Sequence, residues 1–279
     1  MSFSILSIFR LLIISLMLFC TCDALPLHKY SHLAKRLSHL HFHKKSEEVK
    51  PRQTLPALPY GLGIKVAKAL SYWGNVNTND GIAYGTDSYT YYSGGPENFP
   101  STKNWMSFEA MFQANMPLMK KSCGWNNWGP DNTDRQIGYM KTYIQQVARA
   151  SRVDQRAILA VIMQESAGCL RAPTTSNGVT NPGLMQSHNG VAFDPSRPVT
   201  TIKQMIVDGT MGTAYGDGLV QLINQYGNYY KAFRAYNSGS ISSDGNLSNG
   251  NGATPCYVSD IANRLTGWTL APNGCRGGH

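Results

Sequence analysis

Ala157-Ile158-Leu159-Ala160-Val161-Ile162-Met163-Gln164-Glu165-Ser166 is an apolar run inside a chain that is otherwise polar and rich in Asn and Gly. Its length and its helix-forming residues predict a helix, with Asp154 as N-cap and Gly168 where helices commonly stop. For a lone Glu the bland reading is an exposed residue on the last turn of such a helix. Val161 and Ile162, four and three residues before Glu165, share its face. The carboxyl is therefore expected among aliphatic side chains at the negative end of a helix dipole. Both settings disfavour its charged form and raise its pKa. A carboxylic acid that stays protonated near neutral pH can serve as a general acid.

Around this helix the remaining pattern is also helical. Candidates lie at 106–121, 133–149, 200–208, 213–226, 228–237 and 257–266, beside 154–167 for the run itself. Within 133–149, Ile137, Met140, Ile144 and Val147 recur at spacings of three and four, the mark of an amphipathic helix. Convincing alternating strands are absent. Residues 55–105 are rich in Gly, Tyr, Asn and Pro and give only a short helical piece near Ile64–Tyr72. Residues 239–254 read as a flexible loop on composition. The chain thus divides into four parts: 1–24, 25–54, a loop-rich extension over 55–105, and a mainly helical domain over 106–279.

The first two parts read as an address. Arg10 followed by the short apolar core Leu11–Phe19 and the small residues before Leu25 fit a secretory signal. A core of that length is too short to span a bilayer. Residues 25–54 hold five of the seven histidines (His28, His32, His39, His41, His43) with Lys35-Arg36 and Lys44-Lys45. A metal-binding tract is one reading; a cleaved pro-segment or basic linker is favoured, because no Cys joins the cluster. The formal net charge of +9 falls to +4 when counted from Thr54 onward, with 17 Lys and Arg against 13 Asp and Glu. That weakens a nucleic-acid reading, although a modest positive charge suits a polyanionic polymer.

Cys20 and Cys22 fall in the signal. Cys123, Cys169, Cys256 and Cys275 remain, and an even number in a secreted chain predicts two disulfides. Three pairings are open; Cys123–Cys169 with Cys256–Cys275 is preferred because the last two bracket one segment. None of the four belongs to a C-x-x-C pair, so a zinc site is not expected. Asn246-Leu247-Ser248 is a glycosylation sequon in the Gly, Asn and Ser-rich loop.

Two further blocks follow the apolar run: Pro182-Gly183-Leu184-Met185-Gln186 and Ala235-Tyr236-Asn237-Ser238-Gly239. Each is weak alone, since Met185 and Tyr236 could be ordinary packed residues. In this order, after Glu165-Ser166, they resemble the lysozyme-like lytic transglycosylases and goose-type lysozymes, the family 23 glycoside hydrolases, over roughly residues 131–240. The resemblance implies a lysozyme-like, mainly α fold with a cleft for the glycan of peptidoglycan, and cleavage between N-acetylmuramic acid and N-acetylglucosamine. It implies Glu165 as catalytic acid. It further implies that Ser166, Met185, Gln186, Tyr236 and Asn237 line the cleft and contact substrate or Glu165.

Glycosidases commonly use two carboxylates, yet no Asp or Glu lies between Glu165 and Gln186. Goose-type lysozymes place aspartates in that interval. Lytic transglycosylases manage with one Glu, because the muramyl hydroxymethyl group attacks intramolecularly and proximity supplies effective molarities of about 10⁵ M or more. The transglycosylase route is therefore preferred, with Asp194, Asp208 and Asp217 as downstream candidates for a hydrolytic partner. Chitin-type cleavage and an inactive glycan-binding module are the alternatives. No cofactor, nucleic-acid partner or membrane contact after signal removal is expected, and the protein reads as a secreted monomer. The signal and dibasic leader have a fungal look; fungi make no peptidoglycan, so the substrate would be foreign bacterial wall.

Overall fold

The computed structural model describes residues 65–67, 77–176 and 178–276. The expected signal (1–24), the expected pro-segment or linker (25–54) and nearly all of the helical piece expected at Ile64–Tyr72 lie outside the described residues. The described chain is mainly helical: α1 (Phe108–Met119), α2 (Ser122–Trp125), α3 (Asp134–Ser151), α4 (Gln155–Ser166), α5 (Pro198–Met211), α6 (Leu219–Tyr226), α7 (Tyr229–Ser238) and α8 (Tyr257–Thr266). A two-residue hairpin, β1 (Thr175–Ser176) and β2 (Thr180–Asn181), pairs antiparallel between α4 and α5, with Thr175 opposite Asn181. Two residues per strand are too few to leave an alternating signature in sequence.

The apolar run forms α4 at the centre. Asp154 caps it by accepting from the Arg156 amide, and Ala167 ends it in the left-handed conformation at φ 51°. Every residue from Gln155 to Met163 is buried. Each fully buried Ile, Leu or Val side chain contributes about 1.5–3 kcal/mol relative to exposure, so this helix anchors the core. Its neighbours are α1, α3 and α8, while α3 packs on α5 and α6 on α7. All four stripe residues of α3 are buried, and a Thr133–Gln136 capping box starts that helix.

One pair of opposite charges is buried beside α4. Arg156 is nearly fully buried and bonds Asp154 at 2.7 Å through Nη2, while its guanidinium lies 5.0 Å from the Trp105 ring. Asn132 fastens three loops at once, donating to the carbonyls of Met119 and Gly168 and accepting from the Leu170 amide. Beside it Cys123 is bonded to Cys169, fixing α2 to the chain just after α4. The second disulfide joins Cys256 to Cys275 and closes the C-terminal segment over the start of α8.

Two expectations are corrected. The helix expected over 213–226 begins only at Leu219, because Gly212, Gly216 and Gly218 break the preceding residues into a loop. There the Thr213 amide bonds the Gly216 carbonyl, and a Cβ on Gly218 would lie 2.3 Å from the Gly212 nitrogen. Residues 239–254 form a loop that is fastened rather than loose. Leu247 is buried and its amide bonds the Gly94 carbonyl, and Asn246 Oδ1 accepts from the Gly94 and Ser248 amides. Residues 77–105 likewise pack on the helical body. Thr90 and Tyr92 bond Asn263 and Ser259 of α8, and Tyr230 of α7 bridges Trp105 and the Pro100 carbonyl.

Candidate active site

Glu165 sits in the last turn of α4, where the helix reaches an open cleft of about 730 Å³. The cleft walls come from the hairpin (Thr175, Ser176, Asn181), from Gln186 and His188, from Gly216 and Asp217, from the end of α7 (Tyr236 to Gly239) and from Asn251 to Ala253. Glu165 is half-buried, keeping one edge on this space. Burial among protein atoms pushes its carboxyl up from 4.5 to about 7, opposed by the Tyr257 hydroxyl, which donates to Oε1. Desolvation wins because one hydrogen bond does not replace the hydration that a carboxylate loses.

Three sequence blocks meet here, and their side chains act as fasteners between them. Ser166 is fully buried; its Oγ, with a single proton to give, lies 2.8 Å from the Leu184 carbonyl and 3.0 Å from the Ile162 carbonyl, so it joins the end of α4 to the Pro182–Gln186 segment. Met185 is fully buried too, packed against Gly209 of α5, where a Cβ would fall 2.6 Å from its side chain. Neither side chain lines the cleft, in contrast to the expectation from sequence. The Met185 carbonyl accepts from the Tyr236 hydroxyl at 2.8 Å, which joins the second block to the third. Gln186 does reach the cleft. Its amide is occupied, accepting from Thr175 at 2.8 Å and donating to the carbonyls of Pro173 and Gly183, so it holds the hairpin in place.

Tyr236 and Asn237 both line the cleft beside Glu165. Burial, with the charge of Glu165 second, pushes the Tyr236 phenol far above its ordinary range, so it stays a neutral donor. Asn237 Oδ1 accepts from Arg234 Nη2. Arg234 is fully buried and also donates to the carbonyls of Leu247, Thr254 and Pro255. One guanidinium thereby fixes the loop that supplies the Asn251–Ala253 wall. No carboxylate lies within ion-pairing distance of it among the described residues, and burial lowers its pKa to about 10. It remains charged, facing the Tyr257 ring at 5.9 Å.

Sequence reasoning missed Tyr257 and Arg234. Tyr257 is 92 residues from Glu165 and belongs to no block; its one signal is Cys256, whose disulfide pins the start of α8. Arg234 precedes the Ala235–Gly239 block and reads as an ordinary surface cation in an amphipathic helix. Of the three downstream aspartates, only Asp217 lines the cleft. Asp194 bonds Ser196 and Arg197, which hold its carboxyl down to about 2. Asp208 accepts from the Val191 amide and from Gln204. Asn246 lies on the loop with its side-chain oxygen engaged as described. Among the described residues no group of three or more His, Cys, Asp or Glu is placed to hold a metal ion. No helix among them is long and apolar enough to cross a membrane.

A family profile, the transglycosylase SLT domain, matches residues 142–253. The match runs from within α3 to the loop before Cys256, so it contains Glu165 and all three blocks but stops short of Tyr257. It supports kinship with the lytic transglycosylase and lysozyme-like superfamily, and with it an enzyme of the peptidoglycan-cleaving type. No curated protein and no solved structure matches the chain.

Proposed function

We propose that this protein is a secreted enzyme that cleaves the β-1,4 bond between N-acetylmuramic acid and N-acetylglucosamine in peptidoglycan, with Glu165 as its acid. The observation that carries the reading is the placement of Glu165: a half-buried carboxyl, raised to about 7 by burial, opening on a cleft of about 730 Å³. Tyr257 donates to Oε1 and leaves Oε2 to carry the transferable proton. Glu165 protonates the glycosidic oxygen as the bond to the muramyl anomeric carbon breaks. The muramyl hydroxymethyl oxygen then bonds that carbon and returns its proton to the Glu165 carboxylate. No water is consumed, and the product is a 1,6-anhydro sugar. Proximity of the attacking group replaces the second carboxylate.

Within this reading Asn237 turns its amide nitrogen to the glycan, its Oδ1 being held by Arg234, while Tyr236 and Gln186 brace the wall through the bonds to Met185 and the hairpin. An amide can meet sugar hydroxyls and acetamides without setting another charge beside a neutral acid. Ser166 and Met185 serve by joining the blocks behind the cleft. A hydrolytic route has one observation in its favour, the presence of Asp217 in the same cleft. The test is twofold. The chain should clear suspensions of bacterial wall and the Glu165→Gln variant should not; full activity in that variant would remove Glu165 from the mechanism. Mass spectrometry of the released muropeptides decides the route, since anhydro products are one water lighter than hydrolysis products.

A further inference from the structure

Asp217 is the acid of the cleft for which the proton-transfer scheme has no use. It stands exposed on the loop between α5 and α6, and no described residue bonds it or pairs with it in charge. The loop beneath it is closely packed. Thr213 Oγ1 donates to the His188 carbonyl at 2.7 Å, and a Cβ on Gly216 would fall 2.5 Å from the His188 side chain. The carboxylate is thus carried on a fixed support rather than a loose strand.

The charge around it is one-sided. Of the described residues lining the cleft, none is Lys or Arg. Burial lowers the His188 pKa below its ordinary value, which favours the neutral imidazole. The remaining lining groups are amides, hydroxyls, backbone and aliphatic side chains such as Leu222, with Glu165 as the other acid. A glycan in this cleft therefore meets an unpaired anion with no internal counter-charge, and an ammonium group on the glycan is the complement that this arrangement lacks.

We infer that Asp217 is a specificity residue that binds an ammonium group of the substrate, and that the cleft favours wall glycan carrying de-N-acetylated glucosamine. The inference rests on the glycan reading of the cleft given above. An ammonium could also come from a diamino acid of the peptide stem, and the probes are chosen to separate the two sources. The Coulomb attraction acts at the mouth of the cleft, where water and salt screen it, so the gain is that of an exposed ion pair and weakens as salt is added.

The test is binding, by calorimetry at low ionic strength, on Glu165→Gln protein so that no bond is cut. The probes are peptide-free wall glycan, the same glycan after partial de-N-acetylation, and fully acetylated glycan with its peptide stems. The expected result is tighter binding of the de-N-acetylated glycan by about two- to five-fold over the acetylated one. Adding Asp217→Asn should abolish this preference, as should high salt. Equal affinities for the two peptide-free glycans, or a preference that survives Asp217→Asn, overturn the inference. A preference confined to the stem-bearing glycan assigns the ammonium to the peptide and overturns the amino-sugar assignment. Failure of the wild-type chain to clear bacterial wall would strike the proposed reaction, while the binding comparison would still decide the role of Asp217. If Asp217 instead activates water, Asp217→Asn lowers turnover and leaves the binding preference untouched.

Discussion

Replacing Glu165 by Gln should stabilise the fold, and only above a defined pH. In the folded chain burial raises the carboxyl from 4.5 to about 7. The folded state therefore keeps a proton that the unfolded chain releases as pH rises past 4.5. Folding stability falls across the window from about 4.5 to about 7 and is level beyond it, because the folded pKa lies above the unfolded one. A shift of about 2.5 units corresponds to about 3 kcal/mol of strain placed on the protein by the ionised acid. Gln has the same shape, carries no charge, and its Oε1 can still accept from Tyr257. Denaturant midpoints of the two proteins should coincide at pH 4 and separate at pH 8, with the variant ahead by about 2–3 kcal/mol. A difference that does not change with pH, or a variant that falls behind as pH rises, would refute the claim that burial holds this carboxyl protonated.

Three further outcomes are expected. Tyr257→Phe removes the donor that favours the Glu165 carboxylate; the alkaline limb of the activity profile should move upward by about one unit, as a hydrogen bond to a charged group is worth about 1.5–3 kcal/mol. Gly209→Ala puts a methyl group 2.6 Å from the Met185 side chain. It should cost about 1–3 kcal/mol by thermal unfolding and lower activity through the Met185–Tyr236 bond. Replacing Cys123 and Cys169 by Ala opens a link across a sequence separation of 46 and should cost about 4 kcal/mol in denaturant unfolding, while loss of activity should follow stability rather than chemistry.

Much of the fold is legible before any coordinates. The spacing of Ile137, Met140, Ile144 and Val147 fixes the buried face of α3, and the helix formers of the apolar run mark out α4. Asp154 as a cap is equally local, because capping depends on the next two or three residues. The 213–218 segment was harder. Its apolar and aromatic residues suit a helix, and only the close packing of three glycines shows that the backbone turns there instead. The wrapping of residues 77–105 over α7 and α8 is written in hydrogen bonds that span more than 120 residues, for which no window of sequence carries a signal.

The sequence by itself determined that Glu165 would end an apolar helix and that three blocks would belong together, because apolar content, helix signals and block order are properties of the chain read locally. Tertiary structure decided what the blocks do. It turned Ser166 and Met185 inward as fasteners, brought Tyr257 to the carboxyl, set the buried Arg234 behind the Asn251–Ala253 wall, and left Asp217 alone of three aspartates in the cleft. The physical reason is range. A helix is specified by neighbours three and four residues away, whereas a pKa and a cleft depend on atoms that only packing brings within a few ångströms.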